Sequence, residues 1–476
     1  MTRYWILVAV IVLAGTWLRI WKLGEVPVSL YWDEIAMLAD ARSIAQTGFD
    51  MSGNPWLQSI YPSYGDFKLA PYIIFSAPFA SLPLAPAVQI RALSVIVGLA
   101  TMLVGFLLAH KLFATFSPKA RRGVALATLT TIAFSPWAIG FSRTGFEGHL
   151  AQLFLATSVL LVLDEKKRWY RLVLAGIFGS LAASTYYAAL YVWPAVIVTA
   201  ICCYWFDASA VGSFSIQKFR TTAVALIILF SSFSLGMMPL LTSDFFDDMQ
   251  NIRLGSNSVL DPVPFVALSR ETREVVDNSF TAKVLYTAKY YQLRQAIIQF
   301  SENISPRFLF ISGDDNRRHS SGYGGLFATI CLPILLFGIF MSFRQHKRAG
   351  FLLLIWWFVA TIPASIPANV PHALRSLNAL MPISILIGLG WTHLFLFSSK
   401  WLRSLAFISV FIFLVQTTAI MYHYFVVYPK LSASSWQDGY HQLVELALPY
   451  SKAGSQIWID HSDKIFLWYI VYADVS

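Results

Sequence analysis

The chain alternates long apolar runs with short basic links. Runs long enough to cross a bilayer at about 1.5 Å per residue lie near residues 4–21, 87–110, 123–139, 147–163, 170–186, 188–205, 221–241, 325–343, 350–366, 382–398 and 404–422. The pattern predicts a bundle of about eleven spanning helices. Its links carry Lys111, Lys119, Arg121 and Arg122; Lys166, Lys167, Arg168 and Arg171; Lys218 and Arg220; Arg344, Lys347 and Arg348; and Lys400 with Arg403. All of these fall on one side if the N-terminus is cytoplasmic, as the positive-inside rule requires. The same parity puts residues 22–86, 242–324, 367–381 and the tail from about 423 on the outer side. The agreement hinges on Tyr186 and Tyr187, because one broken helix there would invert everything downstream.

Within the first outer loop, Asp33 to Gln46 reads as a helix with Met37, Leu38, Ile44 and Ala45 available to the membrane surface, and Gly48 should end it. Leu69 to Leu82 reads as a second interfacial helix, shortened or kinked by its prolines. In the tail, Gln456 to Asp460 looks like a strand and Ile465 to Tyr472 like a helix or second strand. The expected organisation is a transmembrane unit over 1–422 followed by the start of a small outer domain at 423–476, abbreviated or truncated at its end.

Composition narrows the environment. Of 476 residues, 57% are hydrophobic, 16% aromatic and only 13% charged, too little polar surface to coat a soluble globule. The net charge of +10 sits largely in the short links, so it argues for membrane orientation and against nucleic-acid binding. Cys202, Cys203 and Cys331 lie inside apolar runs and imply no disulfide framework. The N-terminal run lacks a small-residue cleavage pattern and continues into Leu18-Arg19-Ile20-Trp21-Lys22, which favours an uncleaved first span.

Candidate chemistry gathers on the predicted outer face. Tyr31-Trp32-Asp33-Glu34 follows the first span, and Lys68 follows in Gly65-Asp66-Phe67-Lys68. Neighbours on a helix point about 100° apart, so one acid can face a reaction while the other orients the structure. Both can instead cap the helix and favour its positive end, and the spacing leaves the two readings open. Lys68 either snorkels to headgroups or meets a lipid phosphate at the same depth. Arg143 and Glu147, four apart, would pair if helical, and charges at the rim of consecutive spans imply a polar cavity. His149 reads as a hydrogen-bonding rim residue. Two further clusters, Gly313 to Gly324 and Pro371 to Leu377, add cations that include Arg317, Arg318, His319, His372 and Arg375. Asp314-Asp315 alone is a weak metal signal, and Asn303-Ile304-Ser305 is a chance-level glycosylation sequon.

Taken in order, Pro27 to Glu34, the Lys68 segment, Ser135-Pro136-Trp137 leading to Arg143 and Glu147, and Pro371 to Leu377 resemble the GT-C superfamily of integral-membrane glycosyltransferases. The resemblance is to the protein O-mannosyltransferase family that includes the lipid A aminoarabinose transferases. It implies an all-α polytopic membrane protein that moves a sugar, with inversion, from a polyprenyl-phosphate donor to a protein, lipid or glycan acceptor. A carboxylate base of this kind needs no metal, and no cofactor is expected. By resemblance, Asp33 is the base with Glu34 as alternate or helper, Glu147 is the second acid, and Lys68 holds the donor phosphate. Arg375 and His372 match a later segment expected to contact phosphate or donor, and Arg143 is expected to join them at the donor phosphate. Lys68-Leu69-Ala70-Pro71 departs from the commoner Lys-Pro-Pro form. The expected setting is a bacterial-type inner membrane with the site on its outer side. The alternatives are an oligosaccharide ligase or polymerase acting on a lipid diphosphate, or a flippase for lipid-linked sugars.

Overall fold

The structure is a computed structural model that describes residues 2–164, 168–205, 216–254, 258–277, 279–458 and 464–473. Every apolar run expected to cross the membrane is helical. The helices are α1 (Thr2–Ile20), then in the first loop α2 (Trp32–Thr47) and α3 (Ala70–Ala80), followed by α4 (Pro86–Leu112), α5 (Pro118–Phe134), α6 (Pro136–Phe141), α7 (Gly148–Val162), α8 (Trp169–Thr185), α9 (Ala188–Tyr204) and α10 (Ile216–Leu241). After a loop holding α11 (Phe246–Leu254), α12 (Val263–Val275), α13 (Phe280–Leu285) and α14 (Ala288–Ile304), the bundle resumes with α15 (Cys331–Gln345), α16 (Lys347–Thr361), α17 (Leu380–Leu396) and α18 (Lys400–Tyr422). Among the described residues, six helices are long and apolar enough to cross a membrane by length and composition, and α3, α7, α9 and α15 are shorter apolar helices. The architecture is an all-α polytopic membrane fold.

Local chemistry sets the boundaries. Ser117 and Ser135 cap α5 and α6 by accepting the backbone N–H of Ala120 and Ala138, and Pro118 and Pro136 follow at positions whose N–H has no helical partner. Gly48 ends α2 at φ +80°, donating its N–H to the Ile44 carbonyl, as expected. At Tyr186 and Tyr187 the chain forms two helices and not one bent helix. A side chain at Gly179 in α8 would collide with the Trp193 indole in α9, a contact only a hairpin brings about between residues so far apart along a helix. The Trp193 indole also donates to Ser158 Oγ on α7, at 2.8 Å, which locks the three helices.

The core depends on close backbone approach. Gly338 on α15 lies against the Leu386 carbonyl of α17, and Gly390 against the Ile334 carbonyl, so any Cβ would clash. Charge inside this core is satisfied by carbonyls. Arg19 on α1 is fully buried and donates to Gly15 O, Ala133 O and Ile132 O at 2.9, 3.1 and 3.1 Å, and to Ser142 Oγ at 3.1 Å.

Two features differ from the sequence expectation. A hairpin of β1 (Ile60–Ser63) and β2 (Asp66–Leu69) precedes α3, turning at Tyr64 and Gly65 with φ of 48° and 94°. Two left-handed residues in a row are what a tight hairpin needs, and a tyrosine at the first of them hid the turn. In the tail, Gln456 to Trp458 are irregular instead of a strand, while Ile459 and Asp460 lie outside the described residues, as do Lys166 and Lys167. The last apolar stretch is helical: α19 (Tyr428–Leu431) and α20 (Tyr440–Lys452) lead to α21 (Phe466–Tyr472), which packs on α2.

Candidate functional site

The site forms where the first outer loop, the turn after α6 and two later loops meet at one end of the bundle. The β-hairpin delivers Lys68 beneath the N-terminus of α2. There its ammonium lies 2.5 Å from Asp33 Oδ1 and 3.6 Å from Asp66 Oδ2. Asp66 and Lys68, two apart on β2, share a face of the hairpin. The Lys68 side chain is 9% exposed and that of Asp33 31%, so the acid reaches solvent while the base is enclosed. Burial works against the Lys68 charge, but Asp33, then Glu147 and Asp66, outweigh it and push its pKa up. Lys68 is thus an enclosed cation held by carboxylates, not a snorkelling surface lysine.

The neighbouring acid points elsewhere. Glu34 is fully buried and accepts from Arg91 Nε at 3.0 Å, Arg91 Nη2 at 3.0 Å, Gly145 N at 2.7 Å and Tyr31 N at 3.2 Å. With both oxygens so committed, Glu34 closes the α2 N-terminus and joins it to α4 and to the turn before α7. Asp33 is the acid of the pair that faces the opening.

Arg143 is also placed differently from the sequence expectation. The segment from Ser142 to Phe146 is a turn and not a helix, so Arg143 and Glu147 do not share a helix face. The Arg143 guanidinium is buried and donates to the carbonyls of Leu18, Arg19, Lys22 and Val26 at 2.8–3.0 Å. It fastens the end of α1 and is not presented to a ligand. Glu147, at the start of α7, is the acid whose charge reaches Lys68. His149, the second residue of α7, is buried, with its Nε2 3.3 Å from Thr101 Oγ1.

The two later cationic loops come together beside Tyr31. The Arg318 guanidinium lies 3.9 Å from the Tyr31 ring centroid, a cation–π contact that sets it next to Trp32 and Asp33. Burial pushes the Tyr31 phenol up to about 12. Asp314 joins the two loops: its Oδ1 accepts from Asn316 N at 2.8 Å, and its Oδ2 from Ala373 N at 2.7 Å, with His319 Nδ1 at 3.1 Å. The Arg375 N–H points to His372 Nδ1 at 3.3 Å, and Arg375 Nη1 is buried with no protein partner. Burial, then His319, Arg375 and Arg318, push His372 well below the ordinary histidine range, so it is a neutral imidazole. Asn303 of the sequon is fully buried, accepting from His372 N and Ser376 Oγ at 3.0 and 3.2 Å, so it is a scaffold residue and no glycan acceptor.

Sequence reasoning singled out Asp33, Lys68 and Glu147, which the structure gathers in one cluster, and His372 and Arg375, which it places together in a later loop. It did not foresee Arg318 against Tyr31 or Asp314 as the joint between loops. The 313–324 stretch reads either as a cationic cluster or as an ordinary solvated loop, and nothing in its spacing says which of its side chains meets the first loop.

No family model matches the sequence, and no curated protein matches it. Solved structures do share its architecture. The archaeal oligosaccharyltransferase AglB of Archaeoglobus fulgidus in its apo form superimposes with a TM-score of 0.56 at 12% identity, covering 97% of this chain and 60% of that one. The same enzyme in complex with an inhibitory peptide and a dolichol-phosphate gives 0.52 at 13% identity, with 97% and 60% coverage. ArnT of Cupriavidus metallidurans bound to undecaprenyl phosphate gives 0.51 at 12% identity, covering 98% of this chain and 88% of that one. The chain thus spans about 60% of the length of the archaeal chains it matches. At these identities the likeness is one of fold alone, an all-α fold shared with membrane glycosyltransferase structures.

Proposed function

We propose that this chain is a membrane glycosyltransferase that moves a sugar from a polyprenyl-phosphate donor to an acceptor hydroxyl on the outer face of a bacterial-type inner membrane. The observation that carries the reading is the 2.5 Å pair of Asp33 and Lys68 at the α2 N-terminus, with the acid side partly open and the lysine enclosed. Support for a lipid-linked donor comes from the fold, shared with proteins whose structures hold dolichol-phosphate and undecaprenyl phosphate.

The chemistry is a single displacement. In the resting pair Lys68 neutralises Asp33. An arriving donor phosphate competes for the ammonium, and Asp33 is released to take the acceptor proton. The acceptor oxygen bonds to the anomeric carbon as the bond from that carbon to the phosphate oxygen breaks. The negative charge that develops on the phosphate is met by Lys68, with Arg375 and Arg318 as further cations. The charge of Glu147 helps keep Lys68 protonated, and Glu34 and Arg143 keep the loop that carries Asp33 in position. The acceptor is a protein, lipid or glycan hydroxyl.

The test is incubation of the purified protein with radiolabelled polyprenyl-phosphate sugars and membrane extract. Transfer predicts a labelled product together with free polyprenyl phosphate. If label crosses vesicles while the donor stays intact, the protein is a flippase and the reading fails.

A further inference from the structure

Three potential ligands converge against Phe141 and Phe146 from segments distant in sequence. Asp314 and His319 belong to the loop before α15, and His372 to the loop before α17. One ligand atom from each lies within 4.8 Å of the others. Asp314 Oδ2 and His319 Nδ1 are 3.1 Å apart, and the His319 and His372 rings are 4.6 Å apart between centroids. Tetrahedral zinc with bonds of about 2.0–2.1 Å requires donors about 3.3 Å from one another. The first edge already has that length, and a small swing of the His372 ring closes the others.

The surroundings suit a ligand set. The Asp314 and His319 side chains are 4% and 7% exposed, so neither is a freely solvated loop residue. The Asp314 carboxylate is oriented by the N–H groups of Asn316 and Ala373, the kind of outer support that fixes a metal-binding oxygen. His319 also lines a cavity with Thr144, Arg318 and Ser320, through which water can supply a fourth ligand. Two imidazoles and one carboxylate are the donors of a borderline cation such as zinc or cobalt, and not of magnesium or calcium, which take oxygen. Arg318 and Arg375 oppose a dication at longer range, while coordination acts at contact.

We propose that Asp314, His319 and His372 form a binding site for a divalent transition-metal ion of the zinc class, apart from the Asp33 and Glu147 carboxylates. Such an ion would clamp the two loops that carry Arg318 and Arg375. The proposal does not rest on the transfer reaction, and its readout is metal content. Without a metal, the three groups are only a hydrogen-bonded staple between the loops.

The full-length protein in detergent, stripped with chelator, would be titrated with cobalt(II), and its zinc content measured by elemental analysis after loading and desalting. The expected result is one ion per chain with the visible absorption of tetrahedral cobalt. His319→Gln and His372→Gln, which keep polarity and bulk, should each weaken binding at least about tenfold, the scale of losing even an outer-shell partner. Asp33→Asn should bind as the wild type does. Substoichiometric metal in the wild type, or binding by either glutamine variant as tight as that of the wild type, would overturn the proposal.

Discussion

Arg91 and Glu34 form a fully buried, two-pronged ion pair, with Nε to Oε1 and Nη2 to Oε2 both at 3.0 Å. Arg91 extends the joint by donating to the carbonyls of Leu23, Pro27 and Ser29 at 3.2, 3.0 and 2.6 Å. The loop that carries Asp33 is therefore tied to α4 by a charge pair that no ligand needs to touch.

Separating the two acids of that loop is the first prediction. Arg91→Met leaves a buried carboxylate without its counter-charge and should cost about 3–5 kcal/mol, the scale of breaking a buried pair from one side. The double variant Arg91→Met with Glu34→Gln should recover much of the loss. Asp33→Asn should unfold as the wild type does yet lower turnover about a hundredfold or more, as losing a general base does. Unfolding curves in one detergent, read beside donor release, check this. Equal effects of the two acids on stability would remove the division of labour.

Lys68 gives a second prediction. Lys68→Ala should weaken donor binding and slow transfer together, and Lys68→Arg should restore both only in part, since a planar guanidinium cannot occupy the place of a compact ammonium between Asp33 and Asp66. Titration with polyprenyl phosphate decides it. Affinity within about twofold of wild type in Lys68→Ala would return the lysine to a surface role.

A third concerns acidity in the first loop. Asp40 on α2 is buried, its Oδ2 has no partner, and burial followed by the charge of Asp50 raises its pKa to about 7, with the Met51 N–H acting in the opposite sense. An acid whose folded pKa lies above its unfolded value of about 3.9 holds its proton more tightly when folded. Its stabilising effect is complete below about pH 4 and is lost as the pH rises towards 7, by up to about 4 kcal/mol. Asp40→Asn should flatten the melting temperature across pH 5 to 8 and raise it at the upper end. An unchanged slope would place the titration elsewhere.

A fourth concerns sidedness. In a chain freed of its native cysteines, Ser52→Cys and Ser434→Cys should react with an impermeant thiol reagent from outside the cell, and Ser117→Cys should not. All three serines are exposed, so access depends on the side of the membrane alone. The reverse pattern would place Asp33 and Lys68 in the cytoplasm.

Apolar periodicity was sufficient for the helices because bilayer length and backbone satisfaction leave a span few alternatives. It failed where the decisive facts lie between elements. Nothing in the spacing of Asp33 and Glu34 says that Arg91, far along the chain, claims the second acid. Arg143 looked like a rim charge because the four carbonyls it serves belong to the last turn of α1 and the turns just beyond it, invisible to any local pattern. The loop helices hid for a related reason. Ser269, Gln299 and Asn303 are buried while Val263, Leu293 and Ile297 stand exposed, the reverse of a soluble amphipathic pattern.

The buried guanidinium of Arg19 also constrains how the protein is made. Its carbonyl partner at Ala133 lies 114 residues downstream, which at about 5–20 residues per second emerges roughly 6–23 s after the first span. Through that interval the side chain has only the Gly15 carbonyl of its own helix to serve it, but it sits one residue from the outer end of α1, where a long basic side chain reaches the headgroups. Packing of α5 then exchanges lipid headgroups and water for the carbonyls of Ile132 and Ala133. Arg19 thus turns from an interfacial anchor into a buried clasp only after the second half of its site has been made.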